Sequence, residues 1–397
     1  MSSARVATLD GLRGVAVLLV VFGHAIGAVS DEDRPLPGAL SVVFNGGIGV
    51  TLFFVLSGFL ITGLLVRERQ RTDRVDYRAF YLRRTLRILP AYYVFLATMA
   101  ILAVVDLVQV SGSQLLAAGL FVWNYAPAAD GWWLGHTWSL AIEEQFYLLW
   151  PLALGFLRPR RACWVAVGYL VAAPVIRVGC YATFGSARED VWMMFHARAD
   201  SLLVGCLLAL LPVAYPDLWQ RLRWLGRRGA TVAVAVVALL VSSALERQFE
   251  GRWVLPFGYT VATIAAGMLV LAAISRDEPT PYTRVLRWRA LTLVGLISYS
   301  LYLWQQLFLA PQGTGLPGFD SSLLGVVAAF AAATLSYLVV ERPFLRLKDR
   351  LQRTSGRLPG TGAAAVEPLP GRTPDDVSSD EAPPPGRPDD AVRGSRS

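Results

Sequence analysis

Apolar runs of nearly membrane-spanning length recur from Val15 to Val340, separated by short segments rich in arginine. A helix needs about 20 mostly apolar residues to cross a bilayer. The pattern predicts ten such helices, over 9–29, 48–66, 88–108, 138–157, 162–182, 198–214, 230–246, 253–274, 290–310 and 322–341. A further apolar stretch, 114–125, is too short to cross and is followed by Pro127 and Gly131. It reads as a re-entrant or interfacial segment. The expected fold is therefore an all-α polytopic membrane protein. Because Arg13 lies inside the first run and no small-residue cleavage pattern follows it, that run is expected to persist as a spanning helix.

Arginine placement orients the spans. With the N-terminus inside, the segments 67–87, 158–161, 215–229 and 275–289 face the cytoplasm and together hold 19 Arg. The opposite side holds only Arg34, Arg188, Arg247 and Arg252. Counting 114–125 as a span would move 158–161 and every later basic segment outside. The positive-inside rule thus favours ten spans with both termini cytoplasmic. Residues 1–350 form the expected membrane domain. Residues 351–397 hold 8 of the 23 prolines, with many Gly, Ser and Asp. Such a composition cannot bury a core, and a disordered cytoplasmic tail is expected. No internal repeat is visible, which gives no support to a transporter built on inverted repeats.

The composition agrees with the pattern. The chain of 397 residues is 54% hydrophobic and 17% charged, where a soluble domain carries about a quarter charged residues. Its formal charge of +8 comes from arginines in the short connecting segments, so the basic balance reports topology and argues against a nucleic-acid partner. Cys163, Cys180 and Cys206 lie in or beside apolar runs. Their odd count and wide spacing fit small packing residues and neither a disulfide framework nor a metal site.

Ionisable groups inside spans cost on the order of 3 kcal/mol each on insertion scales and are functional candidates by default. Here they are Asp10, Arg13, His24, Glu143, Glu144, Arg177, Arg198, Asp200 and Glu341. Arg13 and His24 are eleven residues apart, close to three helical turns, so they share one face at a separation of roughly 16 Å. A neutral imidazole is suited to take a proton from a hydroxyl, although a lone intramembrane histidine is also a common packing residue. In GHTWSLAIEEQFYLLWP (135–151), Ser139, Glu143 and Tyr147 fall on one face at i, i+4 and i+8. Glu143 or Glu144 is expected to orient His24, unless both merely favour a helix N-terminus. His136 and Trp138 fit an interfacial aromatic belt. In YLRRTLRILP (81–90), Arg83, Arg84 and Arg87 precede the third span. Such a cluster suits a polyphosphate head group or anionic lipid. Arg198 and Asp200, two apart, do not share a face and are not expected to be each other's main partner. The remaining polar candidates are Ser57, Ser298, Tyr299, Tyr302, Trp304, Gln305 and Glu341, for which interhelical hydrogen bonding is the alternative reading.

Seven segments in order carry a resemblance: LDGLRGVAVLLVVFGH (9–24), FFVLSGFLIT (53–62), FYLRRTLRILP (80–90), HTWSLAIEEQFYLLWP (136–151), RADSLLVG (198–205), ISYSLYLWQQ (297–306) and VERPFL (340–345). Together they resemble the bacterial acyltransferase family 3, whose members modify sugars, peptidoglycan, lipopolysaccharide and some antibiotics. The resemblance implies a multi-pass enzyme of the bacterial inner membrane. It implies acyl transfer, usually acetyl, from a cytoplasmic acyl-CoA donor to a hydroxyl of a sugar or glycan acceptor. It also implies His24 as the base, Arg13, Arg84 and Arg87 as groups that hold the donor, and a catalytic or structural role for Glu143 or Glu144 and for Glu341. Two departures stand out. Many members have Trp-His where this chain has Trp304-Gln305, so a second intramembrane imidazole is not expected. Some carry a C-terminal extracytoplasmic hydrolase-like domain, which the short polar tail cannot supply. A transporter or flippase of a lipid-linked or acylated glycan is the competing expectation, and a non-catalytic scaffold leaves the intramembrane charges unexplained.

Overall fold

The computed structural model describes residues 3–29, 38–126, 131–183, 190–249, 251–275, 280–311, 315–316, 319 and 322–354. The tail expected to be disordered lies, from residue 355 onward, outside the described residues. All described residues belong to one compact unit, and among them the secondary structure is helical with no strand.

In chain order the helices are α1 (Ser3–Val29), α2 (Gly38–Val43), α3 (Gly46–Thr72), α4 (Tyr77–Val104), α5 (Gly112–Gly119), α6 (Trp132–Gly135), α7 (Thr137–Phe156), α8 (Pro159–Thr183), α9 (Phe195–Ala214), α10 (Pro216–Gly226), α11 (Gly229–Phe249), α12 (Gly251–Trp253), α13 (Tyr259–Ser275), α14 (Pro281–Leu286), α15 (Arg289–Leu296), α16 (Ser298–Phe308), α17 (Ser322–Ser336) and α18 (Arg342–Thr354). Among the described residues eight stretches are long and apolar enough to cross a membrane, against the ten expected. The other two are α7, whose apolar run is interrupted by Glu143, Glu144 and Gln145, and the stretch 290–310. The latter is not one helix: it breaks at Ile297 between α15 and α16. The short apolar stretch 114–125 becomes the eight-residue α5 followed by a 3-10 turn at Trp123–Tyr125.

The segments read as loops are largely helical. Asp76 caps α4 by accepting from the Ala79 amide at 2.8 Å, so Arg83, Arg84 and Arg87 stand on the first turns of a 28-residue helix. Arginine is a good helix former, and basic composition alone does not mark a loop. Likewise Asn45 caps α3, accepting from Gly47 and Ile48, while its amide nitrogen reaches Ser243 and Glu246 of α11, each at 3.0 Å.

Helix α1 is a wall between two apolar clusters. Val17, Val20, Val21 and Ala25 face one, shared with α3, α4, α7, α9 and α16. Leu9, Leu12 and Ala16 face the other, shared with α3, α9, α11 and α13. Helices α3 and α9 pair closely along their length. A Cβ on Gly58 would collide with the Leu202 carbonyl, and one on Gly205 with the Val55 carbonyl, so two backbones meet where only glycine fits. Two π-helical turns, Val254–Gly258 and Tyr337–Glu341, shift the register of neighbouring helices. The second places Glu341.

Candidate active site

Helical spacing along α1 puts His24 and Arg13 on the side that carries Val17, Val20 and Val21. The half-buried His24 ring meets Trp132 edge-on, with centroids 5.4 Å apart. Its Nδ1 lies 2.8 Å from Gln305 Oε1 on α16. A carbonyl oxygen only accepts, so Nδ1 carries the proton and Nε2 keeps its lone pair. Among the described residues no hydrogen bond engages Nε2. The orienting partner is thus an amide and not the carboxylate of Glu143 or Glu144. The reason is visible at α7: Ser57 Oγ donates to Glu143 Oε1 and Tyr147 OH donates to Oε2, each at 2.8 Å.

Arg13 lies beside Asp10, with 3.9 Å between charged atoms, and has Arg87, Glu341 and Glu143 as its other charged neighbours. Glu341 accepts from Ser300 Oγ at 3.0 Å and faces Arg87, Arg13 and Lys348. Arg84 stacks over the Tyr147 ring at 4.3 Å, with Glu144 and Glu143 nearby. Helices α1, α4 and α7 and the second π turn therefore bring Arg13, Arg84 and Arg87 together with Asp10, Glu143, Glu144 and Glu341. Arg83 belongs elsewhere, paired with Glu68 at 3.2 Å. Tyr299 ties α16 to α4 through the Ile88 carbonyl at 2.9 Å.

Ser139 and Tyr302 have a different task. Their hydroxyls share a hydrogen bond at 2.5 Å, and each also lies within reach of the His136 carbonyl, at 3.1 and 3.2 Å. The His136 backbone N–H donates to Gln306 Oε1 at 3.2 Å. His136 is 4% exposed and lies within electrostatic range of His24. It is an interior residue and not part of an interfacial belt, so a second imidazole is present after all. Trp304 Nε1 and Gln305 Nε2 are buried without partners in the same region.

Arg198 and Asp200 form a separate cluster. Asp200 pairs with the fully buried Arg177 at 2.9 Å. Arg177 also donates to the carbonyls of Leu255 and Ala197 and to the Thr260 hydroxyl. Arg198 donates to Thr51 at 3.0 Å and lies 3.9 Å over the Tyr259 ring. Neither Arg198 nor Asp200 contacts His24 or Arg13. Cys163 and Cys206 are buried and all three cysteines are free.

Sequence reasoning missed His136 as an interior group, Arg177 as the partner of Asp200, and Lys348 as a neighbour of Arg84 and Arg87. His136 stands one residue before α7, where a belt position is the usual reading. Arg177 on α8 and Asp200 on α9 are 23 residues apart, so no local spacing reveals the pair.

The chain is 28% identical over 372 residues to the peptidoglycan O-acetyltransferase OatA of Listeria monocytogenes, covering 85% of this chain and 55% of that protein. It is 28% identical over 326 residues to the O-acetyltransferase OatA of Staphylococcus aureus, covering 75% of this chain and 49% of that protein. The chain thus spans about half the length of these curated relatives. No solved structure matches significantly. The family model described as "Acyltransferase domain" matches residues 6–341, which hold His24, Arg13, Arg84, Arg87 and Glu341, and the chain belongs to that acyltransferase family.

Proposed function

We propose that this chain is an inner-membrane O-acetyltransferase that moves an acetyl group from cytoplasmic acetyl-CoA to a hydroxyl of a cell-envelope glycan. The observation that carries the proposal is the His24–Gln305 pair on the same face of α1 as Arg13. The peptidoglycan named for the Listeria relative supplies the acceptor class.

In this reading ten segments cross the bilayer, both termini are cytoplasmic, and the end of the bundle bearing Arg84 and Arg87 faces the cytoplasm, as the arginine distribution requires. These two guanidiniums bind the CoA phosphates, and the donor's thin arm runs past Arg13 toward His24. His24 Nε2 takes the proton of the acceptor hydroxyl while that oxygen forms a C–O bond to the thioester carbonyl carbon. The carbonyl π electrons move to oxygen, giving a tetrahedral oxyanion. Collapse restores the C=O bond and breaks the C–S bond, and the departing sulfur takes the proton held by His24. Gln305 holds the tautomer that leaves Nε2 free at the start.

The test is His24→Ala in membranes supplied with radiolabelled acetyl-CoA. Loss of label transfer to envelope glycan, with the variant inserted at wild-type level, is the expected result. Full transfer by that variant overturns the proposal.

A further inference from the structure

His136 has a fixed backbone and an unattached ring. Gln306 holds its N–H, while Ser139 and Tyr302 hold its carbonyl. Yet among the described residues neither ring nitrogen makes a hydrogen bond of normal geometry, although the Gln306 side chain and the Leu303 backbone lie close enough for weaker ones. Phe95 and Tyr302 enclose it edge-on, with centroids 5.4 and 5.6 Å away.

A purely structural histidine has no reason to look like this. Leaving a buried donor or acceptor unpaired costs about 1–3 kcal/mol, and a phenylalanine would fill the same aromatic enclosure without that cost. Buried polar groups left unpaired by the protein are met by a bound water, a ligand or a reaction. Charge decides which use. An imidazolium inside an aromatic cage is expensive, and the charge gained by His24 during the reaction would disfavour it further. His136 is therefore suited to remain neutral, with one N–H to donate. Neutral imidazoles of this kind polarise carbonyls.

We propose that His136 is a catalytic residue whose ring N–H donates to the thioester carbonyl oxygen and stabilises the oxyanion formed when the acceptor attacks. The inference rests on the acetyl-transfer reading and assigns a group within it. His136 moves no proton. During attack the carbonyl oxygen gains the π electron pair and the His136 N–H···O bond shortens. On collapse that pair returns to the C=O bond, the C–S pair leaves with sulfur, and His136 ends as it began.

The experiment uses the full chain in lipid nanodiscs with acetyl-CoA labelled by carbon-13 at the carbonyl. Isotope-edited infrared spectroscopy reads the C=O stretch of the bound donor, while a binding isotherm reads donor affinity. In the wild-type protein the band is expected below that of free acetyl-CoA. In His136→Phe it is expected to return toward the value for an unbonded carbonyl, with donor affinity unchanged. His136→Gln, which keeps an N–H, is expected to retain part of the shift. With a glycan acceptor present, kcat is expected to fall roughly 10²–10³-fold in His136→Phe, the range for removal of one oxyanion donor, with KM for acetyl-CoA unchanged. Should His136→Phe fail to insert, His136→Leu and His136→Gln carry the comparison. A wild-type protein that does not bind acetyl-CoA defeats the donor reading. A wild-type protein that binds it with the same carbonyl band as the Phe or Leu variant overturns the role of His136 alone.

Discussion

His24 and Gln305, 281 residues apart in the chain, meet through a 2.8 Å hydrogen bond between Nδ1 and Oε1. An amide, and not a carboxylate, therefore holds the His24 ring. An amide orients an imidazole but adds no charge, whereas a carboxylate would also stabilise the imidazolium.

That difference makes the first prediction. Gln305→Leu frees both the tautomer and the ring, and kcat for acetyl transfer is expected to fall roughly 10- to 100-fold, as when an orienting partner of a functional histidine is removed. Gln305→Glu still accepts from Nδ1–H and is expected to keep most of the activity. Steady-state kinetics on the two variants decides it; equal losses in both would mean that Gln305 does not act through His24.

The second prediction concerns Tyr147, which serves two groups at once. Its hydroxyl donates to Glu143 at 2.8 Å, and its ring lies 4.3 Å beneath Arg84. Tyr147→Phe removes the first contact and keeps the second. Tyr147→Leu removes both. A cation–π contact is worth about 0.5–2 kcal/mol depending on desolvation. Acetyl-CoA affinity, measured by titration, is therefore expected to weaken more in the Leu variant than in the Phe variant. The same affinity in both would show that stacking does not position Arg84 for the donor.

Much of this architecture is legible in the sequence because its physics is local. A three-turn spacing puts Arg13 and His24 on one stripe whatever α1 packs against. The apolar runs mark most of the long helices in the same way. What escapes is set by tertiary contact or by backbone detail. The break at Ile297 falls among apolar residues, where hydropathy is blind to a helix ending. The π turn that places Glu341 leaves no periodic trace. Whether His136 faces water or the interior depends on Gln306, Ser139 and Tyr302, the first and last of which lie more than 160 residues away. The orienting partner of His24 was expected at Glu143 or Glu144, but nothing in the sequence says that Ser57 and Tyr147 already occupy Glu143.

The third prediction tests the packing that sets α3, and with it Ser57, against α9. A Cβ on Gly205 would strike the Val55 carbonyl and the Phe59 amide, both backbone atoms that cannot turn aside. Gly205→Ala must therefore push the two helices apart, at a cost of about 1–3 kcal/mol for overpacking. Gly168 on α8 has nothing within 4 Å of the same substituent, so Gly168→Ala is the control. Thermal unfolding in detergent is expected to show a lower midpoint for the Gly205 variant and an unchanged or higher one for the Gly168 variant. An unchanged midpoint for both would refute the close contact.

The fourth prediction separates holding the fold from doing the chemistry. Arg177 and Asp200 are fully buried and 2.9 Å apart. The Arg177 guanidinium also collects the Leu255 carbonyl at the first π turn and the Ala197 carbonyl at the start of α9. Removing one member leaves the other as an unpaired interior charge, which costs about 3–5 kcal/mol. Asp200→Asn and Arg177→Met are each expected to lower the unfolding midpoint sharply. The double variant Arg177→Met with Asp200→Leu buries no charge and is expected to recover much of the loss, because replacing both partners by apolar groups is often close to neutral. Protein that recovers its fold in this way should also recover acetyl transfer, since neither residue touches His24 or Arg13. A double variant that regains wild-type stability yet transfers nothing would instead place Arg177 or Asp200 in the reaction.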